Sequence, residues 1–184
     1  MTLVLSRSPW VVRSFRSGDE PSLRLAADDW HVARWLRDAF PHPYTEKEAS
    51  DWVSYASREV AHTEFAIATA TEPQRVVGSV GFRLQEDMHR RSAEVGYWVA
   101  RSHWRRGVAT HALAVTVQHA FDHFPVDRLF AGVKDGNRGS VRVLERLGFQ
   151  LEGRSRAAVT GREGETKDEL LFGLLRHEWA GVDA

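Results

Sequence analysis

The sequence has no cysteine among its 184 residues. This absence excludes disulfide bonds, thiolate ligands for zinc and a cysteine nucleophile that would carry a covalent intermediate. The sequence also has no uninterrupted apolar run of about 18 residues, the length that a membrane-spanning helix needs. We therefore expect a soluble protein that does not insert into a membrane, with a cytoplasmic location.

The sequence also lacks an excess of charged residues of either sign. Lysine and arginine together number 25, aspartate and glutamate together number 25, and the formal net charge is zero. Proteins that coat DNA or an anionic membrane rely on a basic excess, so we expect neither partner. Any anion that the chain binds should be held by a local cluster. No two histidines lie at a spacing typical of metal ligands with a third candidate ligand nearby, so we expect no metal site.

The hydrophobic share of 42% is enough for one domain over residues 1–184 with a sizeable core. Apolar patterns predict helices early in the chain, then a series of strands, then a strand–helix–strand end. The predicted strands cover residues 10–15, 64–70, 75–85, 93–100, 127–134, 149–159 and 167–175. This order predicts a mixed α/β (α+β) fold, with a mostly antiparallel central sheet of about seven strands and flanking helices.

The segment SHWRRGVATHALAV, residues 102–115, changes from basic to small and apolar across one glycine. The start of a helix carries unpaired N–H groups and a partial positive charge, and a phosphate satisfies both. Gly107 would let the backbone approach a ligand closely. An ordinary exposed basic turn that leads into an amphipathic helix explains the segment equally well. The pattern is neither a P-loop nor a dinucleotide-binding fingerprint.

Two motifs resemble those of the GNAT acetyltransferases, and within them the RimJ/RimL-like branch. They are W-R-R-G-V-A-T at residues 104–110 and N-x-x-S-x-x-V-L-E-x-x-G-F at residues 137–149. The usual pyrophosphate motif of the family is [Q/R]-x-x-G-x-[G/A]. Gly107 and Ala109 match it, whereas Trp104 stands at the Gln/Arg position, a substitution that is typical of the RimL-like branch. The resemblance covers nearly the whole chain.

The resemblance implies that acetyl-CoA is the acyl donor and co-substrate. Its pantetheine would lie beside the end of a strand, its pyrophosphate would meet backbone N–H groups, and two polar side chains would face the pantetheine or the thiol. These implied coenzyme-binding residues are Trp98, Val99 and Ala100 for the strand, Arg105, Arg106, Gly107, Val108, Ala109 and Thr110 for the pyrophosphate, and Asn137 and Ser140 for the thiol end. From its residue type alone, Asn137 could equally serve only as a helix cap.

Transfer from a thioester to an amine needs a neutral amine, a stabilised oxyanion and a proton for the leaving thiolate. Because cysteine is absent, direct attack in a ternary complex is the simpler hypothesis. Glu94 is the candidate base, with a surface or structural carboxylate as the alternative. Many relatives place a tyrosine as general acid at the position of Leu144, so Ser140 is the substitute candidate, directly or through a water.

The resemblance points to an N-terminal α-amine of a protein or peptide as acceptor. The ordinary pKa of an α-amine lies about 2.5 units below that of a lysine, so the neutral form is about 300-fold more abundant at neutral pH. Small amines such as an antibiotic or a polyamine remain an alternative acceptor, and a non-catalytic acyl-CoA-binding regulatory module remains an alternative function. A homodimer also stays open, because edge strands in such sheets often pair.

Overall fold

The structure is a computed structural model, and it describes residues 1–3, 8–58 and 61–182. The strands are β1 (Thr2–Leu3), β2 (Trp10–Ser14), β3 (Glu64–Thr69), β4 (Val76–Leu84), β5 (Ser92–Val99), β6 (Arg128–Lys134), β7 (Gln150–Thr160) and β8 (Thr166–Leu175). The helices are α1 (Glu20–Ala27), α2 (Trp30–Ala33), α3 (Glu46–Arg58), α4 (Val108–His123) and α5 (Arg138–Arg146). The predicted mixed α/β class is confirmed. The strand that the sequence did not predict is β1, which is too short to show a periodic pattern.

The strands follow the order β1-β2-β3-β4-β5-β6-β8-β7 in an eight-stranded sheet. Antiparallel pairing joins β1 to β2, β2 to β3, β3 to β4, β6 to β8 and β7 to β8. The pair β5–β6 is parallel, with Ser92 opposite Arg128. A parallel pair needs a crossover connection, and α4 provides it between these two strands.

The chain divides into two compact units. The first comprises Met1–Gly81 and Tyr97–Thr116, and the second comprises Phe82–Gly96 and Val117–Ala184. The strands β4 and β5 and the helix α4 each continue from one unit into the other.

The core of the first unit lies between its helices and its strands. Its buried residues are Phe15, Leu23, Ala27, Tyr44, Ala49, Val53, Ala56, Ala66 and Val76. Thr45 and Glu48 form a capping-box pattern in the sequence, and the structure bears it out: the Thr45 N–H donates to the Glu48 carboxylate over 3.0 Å where α3 begins. Apolar spacing from Trp30 to Phe40 resembles a longer helix, but α2 ends at Ala33.

A buried ion pair fixes the start of α1 against β2. The Arg13 guanidinium donates to both carboxylate oxygens of Asp19, over 2.8 and 2.7 Å, and the two residues are 5% and 1% exposed. Arg13 also donates to the carbonyl of Pro73, and the Arg16 N–H donates to Asp19 over 2.9 Å. Because the partners satisfy each other's polar atoms, loss of one partner leaves an uncompensated charge in the interior.

In the second unit, α5 packs through Leu144, which is completely buried, and β8 lies between β6 and β7. Of the residues that the structure describes, no helix is both long and apolar enough to cross a membrane.

We predict that Asp19→Ala lowers the free energy of unfolding by about 3–5 kcal/mol, because it strands the Arg13 charge in the interior. Urea denaturation followed by circular dichroism measures this change. Asp51→Ala is the control, because it breaks an ion pair with Lys47 in which both side chains are well exposed. Equal, small effects of the two substitutions would contradict a stabilising role for the buried pair.

Candidate functional site

The first part of the candidate site is the end of β5, where the coenzyme-binding strand was predicted. The Ala100 N–H donates to the Val77 carbonyl of β4 over 2.8 Å. Gly78 has no room for a side chain, since a Cβ there would collide with the carbonyl oxygen of Trp98. The Trp98 ring packs edge-on against Phe40, with centroids 5.6 Å apart. The backbones of β4 and β5 therefore lie unusually close at this point.

Trp104 closes the connection between β5 and α4. Its indole N–H donates to the carbonyl of Val99, the last residue of β5, over 2.7 Å. The side chain is large enough to span the short helical turn Arg101–His103 that intervenes. This contact gives a structural reason for a tryptophan at a position where the family motif has Gln or Arg. It fixes the point from which the following residues enter the helix.

Arg105–Thr110, which we name the phosphate segment, follows directly. The backbone adopts left-handed φ values at Arg105 (58°) and Gly107 (77°), but not at Arg106 between them. Such alternation turns successive N–H groups towards one concavity, a known anion-binding arrangement. The His111 N–H donates to the Gly107 carbonyl over 3.0 Å, which opens the hydrogen-bond ladder of α4.

The N–H groups of the phosphate segment are available to a ligand. Across residues 1–3, 8–58 and 61–182, none of them donates to a protein acceptor. A Cβ on Gly107 would meet no atom within 4 Å, and the side chains of Arg105 and Arg106 are exposed. Open backbone, helix start and positive charge therefore coincide, as an anion such as a diphosphate requires. Val108, by contrast, is buried, so only its backbone can serve this role.

Two histidines flank the phosphate segment. Burial, followed by the charges of Arg106 and Arg75, lowers the pKa of His103 below its usual value. Burial also lowers the pKa of His111 from its ordinary 6.5, and a hydrogen bond with the Trp10 backbone acts in the opposite direction. Both shifts favour neutral imidazoles at neutral pH. The positive charge beside the segment then comes from its arginines.

Glu94, the candidate base, lies on β5 in the second unit. Its carboxylate is 17% exposed and accepts a hydrogen bond from Arg83 of β4 over 2.7 Å. Sequence reasoning missed Arg83, because no local spacing relates it to Glu94 and only strand pairing brings them together. The ion pair with Arg83 orients the Glu94 carboxylate.

Asn137 and Ser140 lie at the turn between β6 and α5. The Asn137 side-chain oxygen accepts the Ser140 N–H over 3.2 Å, so the capping role of Asn137 is confirmed. Gly136, with φ at 94°, makes the turn before the cap. The side-chain nitrogen of Asn137 donates to no acceptor within the described part of the chain. The cap therefore does not exclude a second contact with a ligand.

The structure locates each predicted site residue in one unit or the other. Trp98, Val99, Ala100 and the phosphate segment belong to the first unit, whereas Glu94, Asn137 and Ser140 belong to the second. Leu144 is fully buried, so its position is part of the core.

The buried Tyr44 phenol has its pKa raised to about 12 by burial and then by Glu48, and it lies in the core of the first unit. Among the described residues, no three His, Asp or Glu side chains could hold a metal ion.

A family model described as an acetyltransferase (GNAT) domain matches residues 10–150. The curated relatives include the "Uncharacterized N-acetyltransferase p20" of Bacillus licheniformis, 34% identical over 60% of this chain and 61% of that protein. The "Probable N-acetyltransferase YjcK" of Bacillus subtilis is 36% identical over 82% of this chain and 77% of its own length. The "Ribosomal-protein-serine acetyltransferase" of Escherichia coli is 31% identical over 42% of this chain and 43% of its own.

Similarity thus spans less than two thirds of the length of p20 and of the Escherichia coli protein. Among solved structures, Mycobacterium smegmatis RimJ in complex with CoA-disulfide has a TM-score of 0.80 and 26% identity, and covers 97% of this chain and 87% of that one.

We predict that acid weakens the fold partly through His111. The unfolded chain binds more protons than the folded one between the lowered pKa of His111 and its ordinary 6.5, so stability rises with pH across that window. Stability contributed by the neutral imidazole is therefore lost as pH falls below 6.5 towards the folded-state pKa.

His111→Gln should flatten the pH dependence of the urea midpoint between about pH 7.5 and about pH 5.5. His177→Gln, at an exposed position, is the control. An unchanged slope in His111→Gln would show that this imidazole does not couple folding to protons.

Proposed function

The chain belongs to the GNAT acetyltransferases, and from this premise we propose that it is an N-acetyltransferase that transfers an acetyl group from acetyl-CoA to a primary amine. The observation that carries the proposal is the phosphate segment, Arg105–Thr110. Its N–H groups have no acceptor among the described residues, and together with its two left-handed residues and its exposed arginines they fit a diphosphate such as that of coenzyme A.

The strand end supports the same ligand. In the proposal, the pantetheine amides pair with the backbone of Trp98, Val99 and Ala100, where β5 ends and the chain turns towards α4. Asn137 and Ser140 contact the pantetheine or the thiol, and the side-chain nitrogen of Asn137 is a suitable donor because its oxygen already caps α5. The complex of Mycobacterium smegmatis RimJ, a protein of the same fold, with CoA-disulfide supports coenzyme A as the class of ligand.

Acetyl-CoA supplies a thioester, whose C–S bond breaks as the amide C–N bond forms, with coenzyme A leaving as a thiol. The amine must lose a proton, and Glu94 accepts it directly or through a water. The leaving thiolate gains a proton, for which Ser140 is the candidate donor because the alternative position is occupied by the apolar, buried Leu144. The absence of a cysteine nucleophile favours direct attack of the amine on the thioester in a ternary complex, which is the simpler scheme.

An N-terminal α-amine of a protein or peptide is the proposed acceptor. Its lower pKa, about 2.5 units below that of lysine, leaves more of it neutral for a site that has one carboxylate as base. The similarity to a ribosomal-protein-serine acetyltransferase supports a protein acceptor.

Gly107→Val should raise the KM for acetyl-CoA more than about tenfold, because a β-branched side chain fills the open space beside the phosphate segment. Gly18→Val is a matched control for backbone strain, since Gly18 also has a left-handed φ (94°) and open space around its Cβ. Thiol release measures KM, and calorimetry with coenzyme A measures binding directly. Equal KM values for the two variants, or no heat with the wild type, would contradict the assigned segment.

Glu94→Gln should lower kcat by about a hundredfold and leave the KM for acetyl-CoA nearly unchanged, because only proton transfer is lost. Glu152→Gln is the control, since it removes another carboxylate that pairs with an arginine, Arg128. The thiol-release assay uses peptides with free N-termini, N-blocked peptides with an internal lysine, and small amines.

Turnover confined to small amines or to internal lysines would refute the proposed acceptor. Tight coenzyme binding without turnover on any acceptor would instead support a non-catalytic module.

A further inference from the structure

Arg154, on β7, bridges two carboxylates that belong to different segments of the second unit. Its Nη2 lies 3.0 Å from Asp135 Oδ2, and its Nη1 lies 3.1 Å from Asp168 Oδ2. Asp135 directly follows β6, and Asp168 lies on β8. One guanidinium thus joins the end of β6 to the β7–β8 hairpin.

Backbone hydrogen bonds converge on the same place. The Asp135 N–H donates to the Asp168 carbonyl over 2.9 Å, and the Asp168 side chain accepts the Ala157 N–H over 2.9 Å. Ala157 has a left-handed φ of 51° and lies within the register shift between Ser155 and Val159. An alanine in this conformation is unfavourable by roughly 1–2 kcal/mol, so the surrounding contacts must hold it there.

The segment that Arg154 holds leads straight into the proposed thiol-binding residues. The Asn137 N–H donates to the Lys134 carbonyl over 3.1 Å, across a turn that contains Asp135 and Gly136. Asn137 then caps α5 through the Ser140 N–H. A shift of Asp135 would therefore move Asn137 and, through the cap, Ser140.

We propose that Arg154 is a positioning residue for acetyl transfer: by bridging Asp135 and Asp168 it fixes the turn that presents Asn137 and Ser140. The inference rests on the proposed function. Without the guanidinium, the two carboxylates lose the cation that both contact, and their mutual repulsion displaces the turn. A displacement of about 1 Å at a reacting group can lower a rate by about a hundredfold.

The exposure of Arg154 separates this role from a purely structural one. Its side chain is 51% exposed, and exposed ion pairs contribute little to stability. A positioning role therefore predicts a loss of rate without a matching loss of stability. Coenzyme binding should persist, because the phosphate segment lies on other residues, 105–110.

The test compares the full-length wild type with Arg154→Gln, Arg154→Lys and Arg156→Gln. Arg156 is the matched control, since it is an exposed arginine two residues along the same strand and pairs with no carboxylate among the described residues. Thiol release gives kcat and KM, and thermal unfolding gives Tm.

In Arg154→Gln we expect kcat to fall about tenfold or more, the KM for acetyl-CoA to change less than about threefold, and Tm to stay close to that of Arg156→Gln. Arg154→Lys should restore part of kcat, because an ammonium supplies the same single positive charge but does not hold both carboxylates in a fixed fork.

Arg154→Gln kinetics equal to those of Arg156→Gln, in an active wild type, would overturn the positioning role alone. A fall in kcat that Tm follows and that lysine does not restore would also overturn it. No turnover by the wild type on any acceptor would overturn the proposed function, and this inference with it.

Discussion

The interaction on which the candidate site depends is the hydrogen bond from the Trp104 indole to the Val99 carbonyl. It fixes where the chain leaves β5, and the left-handed residues Arg105 and Gly107 then bring the chain into α4. The N–H groups of this stretch donate to no acceptor in the described part of the chain. A protein must leave such groups to water or give them a partner. The proposed coenzyme diphosphate is that partner, so one unsatisfied stretch of backbone connects the fold to the chemistry.

In the second unit, the backbone groups at the turn between β6 and α5 find partners within the chain rather than in a ligand. Its turn between β6 and α5 is satisfied internally by the Asn137 cap, and it is held from outside by the Arg154 bridge. The first unit thus presents open backbone for binding, whereas the second presents side chains whose positions are fixed by hydrogen bonds. Binding tolerates small movements better than proton transfer does, which is why the rigid supports lie beside the residues that are proposed to carry the chemistry.

The catalytic assignment also follows from what the core excludes. Leu144 is fully buried, so the position that holds a tyrosine in many relatives serves packing in this chain. Ser140, one turn earlier on the same helix, is the hydroxyl that remains at that end of α5. If the proposed roles of Glu94 and Ser140 hold, a single carboxylate base and a weak acid suit an acceptor that is already partly neutral, and this favours an α-amine over a lysine.

The sequence by itself determined the long strands, because a period of 2 is a local pattern, and they lie where this pattern predicts them. Helical spacing was less reliable, since the apolar pattern from Trp30 to Phe40 gives a helix that ends at Ala33. The sequence also predicted the cap at Asn137 and pointed to the stretch around Gly107 as the proposed anion site. Only the tertiary structure decided that Arg83 pairs with Glu94 and that Arg154 joins Asp135 to Asp168. These contacts join residues on different strands, and no local spacing encodes the register that brings distant strands side by side.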